Sequence, residues 1–198
     1  ARRVAEVFCS DKKLNISPRY LRPGFAYGGS CLPKDLRAIL RYATIQSIPT
    51  PMLRGILESN KAQVEAFVSR LCVEKPKTVG IVGLAFKSKT DDMRESPYVD
   101  VAKRLIGEGV DLRIFDPNVH VGNLIGANKI MVEAALGHLR ELLVGSLSDL
   151  DSADMILINH ATVDAAQVQK WLAAGVRVID LVSIEGVDRE EGAYEGIA

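Results

Sequence analysis

The sequence has no surplus of charge. Its 198 residues carry 25 lysines and arginines against 25 aspartates and glutamates. That balance excludes a broad electrostatic surface for nucleic acid, while leaving room for a local phosphate pocket. Cysteine is scarce: Cys9, Cys31 and Cys72 are odd in number and scattered. They form no disulfide framework and point to a reducing cytoplasm. Neither C-x-x-C nor H-x-x-x-H occurs, so no metal site is expected. No apolar run approaches the roughly 20 residues of a membrane helix. No membrane partner is therefore expected, and the opening ARRVAEVFCSDKKLN, with no apolar stretch of signal-peptide length, gives no indication of secretion. Against these gaps stand 47% hydrophobic residues, too many for a disordered chain and enough for a buried core.

What is present changes character along the chain. Val4, Val7 and Phe8 share a helical face with no capping residue before them, so the sequence is expected to open inside a helix with an upstream part preceding it. Residues 10–32 hold two prolines and three glycines, the turn chemistry of a long, functional loop. Pro33 suits the first turn of a helix whose apolar face is Leu36, Ile39, Leu40 and Ala43. A second helix is predicted over 52–75, with Leu53, Ile56, Leu57, Val64, Phe67, Val68 and Leu71 in its stripe. At ~1.5 Å per residue it is about 35 Å long, a spine or a subunit contact.

From Pro76 onward, apolar β-branched runs alternate with helical segments. Strands are predicted at 78–82, 111–116, 154–159 and 176–180, with a weaker one near 142–145, and helices at 97–107 and 163–173. Gly109 and Gly175 fall where helix C-caps belong. Such alternation implies an α/β fold: a helical segment (1–75) with a spine helix, then a doubly wound parallel sheet (76–198).

The densest chemistry is Gly28-Gly29-Ser30-Cys31-Leu32-Pro33-Lys34-Asp35. Two glycines let backbone approach a ligand closely. A thiol just before a helix faces unpaired N–H groups and the positive end of the dipole, which favour the thiolate. Lys34 adds positive charge, and Asp35 in the first turn is placed to orient water or take a proton. Most free cysteines are simply small buried residues. That reading suits Cys9 and Cys72 on their apolar stripes, but not a thiol between paired glycines and a helix start. A cysteine-hydrolase reading, with His160 as base oriented by Asp180, has no local sequence support.

The run from Lys13 to Asp35 resembles the active-site segment of the UDP-glucose/GDP-mannose dehydrogenase family. Gly83-Leu-Ala-Phe-Lys87, followed by Thr90-Asp-Asp-Met-Arg94-Glu-Ser-Pro97, resembles that family's C-terminal signature. The likeness implies the end of a central helical domain (1–75) and a Rossmann-like nucleotide-sugar-binding domain (76–198). It also implies NAD-dependent oxidation of a sugar C6 alcohol to a carboxylate, with NAD held mainly by an N-terminal domain. Gly80-Ile-Val-Gly83 does not complete the G-x-G-x-x-G fingerprint. By the same likeness Cys31 is the nucleophile and Asp35 activates water. Tyr20, Arg22, Phe25, Tyr27, Gly28 and Lys87 line the nucleotide sugar, and Lys34 and Arg94 face the cofactor. The 13–27 loop is nearer the GDP-mannose branch than the UDP-glucose branch, and a homodimer through the 52–75 helix and a place in polysaccharide synthesis are implied. The remaining alternative is a non-catalytic nucleotide-sugar-binding or dimerisation module.

Overall fold

A computed structural model describes residues 2–13, 17, 24–120, 126–137, 139–187 and 193–196. The helical part comprises α1 (Arg2–Cys9), α2 (Leu32–Ile45) and α3 (Pro51–Val73). The alternating part follows as β1 (Thr78–Val82), α4 (Pro97–Gly107), β2 (Asp111–Phe115), α5 (Gly126–Ala135), α6 (Leu139–Leu142), a 3-10 turn at Leu147–Leu150, β3 (Met155–Ile158), α7 (Ala165–Ala173), β4 (Arg177–Asp180) and β5 (Tyr194–Gly196).

The strands form one parallel sheet in the order β2-β1-β3-β4-β5. Strand residues alternate between two cores because side chains alternate across a sheet. Val79, Ile81, Met155, Leu157 and Ile179 meet α3 and α4 on one face, while Val82, Ile156, Ile158 and Val178 meet α7 and Trp171 on the other. This is why these strands read as unbroken apolar runs. The order reverses direction between β1 and β3, and in such sheets ligands collect outside the carboxyl ends of the strands at that point. Gly109 and Gly175, both at φ +81°, terminate α4 and α7 in left-handed geometry.

Several elements depart from expectation. Helix α2 begins at Leu32, so Cys31 is its N-cap. Ile39 points to solvent, because α2 buries only Pro33, Leu36, Leu40 and Ala43. The segment near 142–145 makes a single parallel bridge, Ile114 to Leu143, rather than a strand. Neither α5 nor the short edge strand β5 was legible; β5 is held in register by β4 and by Tyr194, whose phenol donates to Asp180 at 2.6 Å. Helix α3 divides in two: Val64, Phe67, Val68 and Leu71 are buried in the core shared with α4 and the sheet, whereas Met52 and Ile56 are exposed. Among the described residues no helix is long and apolar enough to cross a membrane.

Candidate active site

Cys31 is exposed at the start of α2, its sulfur 3.9 Å from Ser30 Oγ and free of any disulfide. Its carbonyl accepts the Asp35 N–H at 2.9 Å. Asp35 therefore lies one turn on from Cys31, on the same face of the helix. Lys34 and Asp35 are both open to solvent and pair at 3.4 Å. The described helix N-terminus thus carries a thiol, a carboxylate and an ammonium within its first turn.

The loop before Cys31 is pressed against the second motif. Gly29 donates its N–H to the Glu95 carbonyl at 3.3 Å. A Cβ on Gly28 would overlap the Glu95 carbonyl oxygen and lie 2.6 Å from Pro97 Cδ. Gly29, at φ +89°, has the Phe86 ring 2.7 Å from where its Cβ would be. Both glycines are thus required by close approach, and at Gly29 by a backbone conformation that other residues rarely adopt. Tyr27 is clamped by Asn60 of α3, which accepts the Tyr27 N–H at 2.9 Å and donates to its carbonyl at 3.0 Å.

The second motif brings charge to this loop. Arg94 is held by Asp92 through two parallel bonds, Nε to Oδ1 at 2.8 Å and Nη2 to Oδ2 at 2.9 Å. These bonds are the main reason the guanidinium sits above its ordinary range, with a smaller contribution from the Asp92 charge. The same hydrogen bonds hold the Asp92 carboxyl below its usual range. The Lys87 ammonium lies 5.1 Å from the centre of the Phe86 ring, a cation–π placement. Glu95, at φ +50°, reaches the other way and grips Arg37 of α2 with both carboxylate oxygens.

The structure therefore gathers Cys31, Lys34, Asp35, Tyr27, Gly28, Lys87 and Arg94 around one junction. Phe25 sits at its edge and packs on Phe67 and Tyr98, with ring centres at 4.7 and 6.0 Å. Tyr20 and Arg22 lie outside the described residues. Tyr27 and Asn60 line both a 260 Å³ cleft, with Pro33, Arg37, Glu95 and Pro97, and a 560 Å³ cleft along the exposed half of α3. The Tyr27 phenol is raised above the ordinary range chiefly by burial, with Arg37 and Glu95 pulling in opposite directions.

Sequence reasoning missed Arg37, Asn60, Asp92 and Glu95. Asn60 left a trace, as a polar residue on the α3 stripe between Leu57 and Val64; Asp92 and Glu95 lie inside the second motif without a role read for them, and Arg37 looks like an ordinary surface charge. The hydrolase constellation does not form. Asp180 accepts the N–H groups of Val182, Ser183 and Ile184 together with the Tyr194 phenol. His160 is buried beside Asp116 instead.

Residues 80–184 match the UDP-binding domain of the UDP-glucose/GDP-mannose dehydrogenase family, and residues 1–62 match its central domain. GDP-mannose 6-dehydrogenase of Azotobacter vinelandii is 42% identical over 99% of this chain, and that of Pseudomonas aeruginosa 41% identical over 91%. The crystal structure of a ternary complex of GDP-mannose dehydrogenase from Pseudomonas aeruginosa superposes with a TM-score of 0.77 at 39% identity over 98% of this chain. A UDP-glucose dehydrogenase from Pyrobaculum islandicum gives 0.75 at 29% identity over 99%. The chain spans 42–45% of the length of these relatives. A match that runs through both motifs and the sheet between and beyond them settles the kinship: the chain belongs to the UDP-glucose/GDP-mannose dehydrogenase family.

Proposed function

We propose that this chain supplies the nucleophile and part of the substrate site of an NAD-dependent nucleotide-sugar 6-dehydrogenase that acts on GDP-mannose. The observation that carries this is the exposed Cys31 thiol at the head of α2, with Asp35 one turn on and the Gly28–Gly29 backbone before it pressed against the second motif. Residues 1–75 form the end of a central helical domain in this reading, and residues 76–198 the nucleotide-sugar domain.

NAD, the hydride acceptor of the family's chemistry, finds no diphosphate cradle in the loop after β1. The N–H groups of Leu84 and Ala85 are already spent on Asp116, at 2.8 and 3.2 Å. The residues of this chain that fit the role of facing it are Lys34 and Arg94, as cations at the open edge of the site. When bound, the dinucleotide takes up hydride; the protein supplies position and field.

The thiol chemistry belongs to this chain. An aldehyde at C6 has no good hydride to give until a nucleophile adds. The Cys31 sulfur forms a C–S bond to that carbon and the carbonyl oxygen takes a proton, giving a thiohemiacetal. Loss of its C–H as hydride, and of the hydroxyl proton, leaves a thioester. Water, oriented by Asp35, adds to the thioester carbon, the C–S bond breaks, and the thiolate returns as the carboxylate leaves. Lys87 and Arg94 suit phosphate oxygens through charge-assisted hydrogen bonds. Tyr27 and Gly28, with Tyr20, Arg22 and Phe25, belong to the loop assigned to the sugar.

The exposed apolar residues Ile39, Tyr42, Ile45, Met52 and Ile56 support a homodimer contact along α2 and the first half of α3, with polysaccharide precursor synthesis in the cytoplasm as the setting. Cys31→Ser in the intact enzyme tests the reading: uronate formation is expected to fall at least a thousandfold with substrate binding retained. Undiminished uronate would remove the thioester. Stabilisation against heat by UDP-glucose rather than GDP-mannose would move the assignment to the other branch of the family. The 198 residues alone are expected to produce no NADH.

A further inference from the structure

The loop that follows β1 and opens the second motif is fixed by side chains that none of the proposed chemistry uses. Gly83 donates its N–H to the Phe115 carbonyl at 2.9 Å, and its carbonyl accepts from Asn159 Nδ2 at 2.9 Å. Leu84 and Ala85 donate to Asp116, and the Leu84 carbonyl accepts from the hydroxyl of Ser96, the N-cap of α4, at 2.7 Å. The Ala85 carbonyl meets His160 Nε2 at 2.9 Å, and Phe86 donates its N–H to the Asp92 carbonyl at 3.1 Å. Each backbone polar group from Gly83 to Ala85 is thereby paired, which is what a buried loop requires.

His160 is 2% exposed, and its ring stands where a Gly83 side chain would be. A carbonyl only accepts, so Nε2 must carry the proton and donate it to Ala85. A ring so placed cannot reach substrate. It sits at the carboxyl end of β3, with Asp116 at the end of β2, across the point where strand order reverses. The loop it holds presents Phe86 directly beneath Gly29, two residues before Cys31, and carries Lys87.

We propose that His160, together with Asn159 and Asp116, is a positioning residue of the site. It locks the Gly83–Lys87 loop as a rigid shelf on which the Gly29–Cys31 turn rests. This rests on the proposed role of Cys31. The shelf acts on the direction of the sulfur, whereas Lys87 has a long stem that readjusts, so loss of the lock should fall on kcat more than on KM.

The experiment compares His160→Ala and His160→Gln with the parent. Gln can restore a donor to Ala85 but cannot serve as an acid or base. Exchange of the Leu84 and Ala85 amides is followed, with those of Ile156 and Leu157 in β3 as a control for global folding. Stranding a buried carbonyl should speed loop exchange about tenfold or more in His160→Ala while the β3 amides stay protected. Alkylation of Cys31 by iodoacetamide, read on its peptide, should change in the same variant. In the intact enzyme kcat should fall by a similar factor with KM nearly constant, and His160→Gln should recover most of each change.

Loss of kcat with the loop still protected would assign His160 a chemical role and overturn the proposal. Loosening of the loop with kcat and alkylation unchanged would overturn it equally. If His160→Ala loses β3 protection too, the same comparison is decided on His160→Gln. If the parent enzyme oxidises no nucleotide sugar, the proposed function falls. Loop exchange and Cys31 alkylation still decide this inference.

Discussion

A single methyl group at Gly28 should separate the two motifs. The site depends on the 28–29 backbone lying flat against residues 95–97. An alanine there would place its Cβ in overlap with the Glu95 carbonyl oxygen and 2.6 Å from Pro97 Cδ, neither of which is the end of a flexible side chain. Overpacking of this kind costs about 1–3 kcal/mol. The hydrogen bond from Gly29 N–H to the Glu95 carbonyl, already 3.3 Å long, contributes about 1 kcal/mol more when lost. Against this, alanine restricts the unfolded chain and returns only about 0.4–1 kcal/mol, so destabilisation wins. The net of about 1–4 kcal/mol corresponds to a melting temperature lower by about 2–16 °C for a chain of this size. Relief requires the turn to back away, and Cys31 follows three residues later. A displacement near 1 Å at a reacting group costs on the order of a hundredfold in rate. Thermal denaturation of Gly28→Ala, alongside kcat of the intact enzyme carrying it, measures both. An unchanged melting temperature with unchanged kcat would show that the two motifs do not bear on one another.

Three further outcomes follow from the same structure. Burial pushes the Tyr98 phenol up to about 12, so its contribution is complete below the ordinary value near 10 and is lost as pH rises towards 12. Tyr98→Phe should flatten that alkaline decline in denaturant midpoint. Asp92 is held low chiefly by the Arg94 hydrogen bonds. Its contribution is present above the ordinary carboxyl range and lost as pH falls through the depressed value, so Asp92→Asn should make unfolding below about pH 4 less steep, as read by urea midpoints across that range. Asp180 is fully buried and accepts three backbone N–H groups and the Tyr194 phenol. Asp180→Ala should cost about 3–5 kcal/mol in chemical denaturation and release β5, visible as lost protection of its amides, because charge-assisted buried bonds are left unmet.

Much of the fold was legible because its signals are local. The predicted runs at 78–82, 154–159 and 176–180 contain strands buried on both faces, and 111–116 contains one that alternates buried Leu112 and Ile114 with more exposed neighbours, so all four hold strands. Pro33, Pro51 and Pro97 mark the starts of α2, α3 and α4, since a missing N–H costs nothing in a first turn. Strand β5 was not legible: Tyr-Glu-Gly has no run of its own and exists through pairing with β4 and the bond to Asp180. The apolar stripe of α3 looked uniform. Only its second half is buried, because only that half joins the core it shares with α4 and the sheet.

The site divides in the same way. Paired glycines, a cysteine, a proline, a lysine and an aspartate in order determine by themselves a thiol at a helix start, because capping and glycine chemistry act over a few residues. That Glu95 grips Arg37, that Asn60 clamps Tyr27, that Asp92 aims Arg94 and that His160 serves a loop instead of a reaction were decided only by the tertiary structure. Apart from Asp92 and Arg94, these partners are separated by tens of residues. A charged or amide side chain carries no mark in the sequence of the distant atom that will satisfy it.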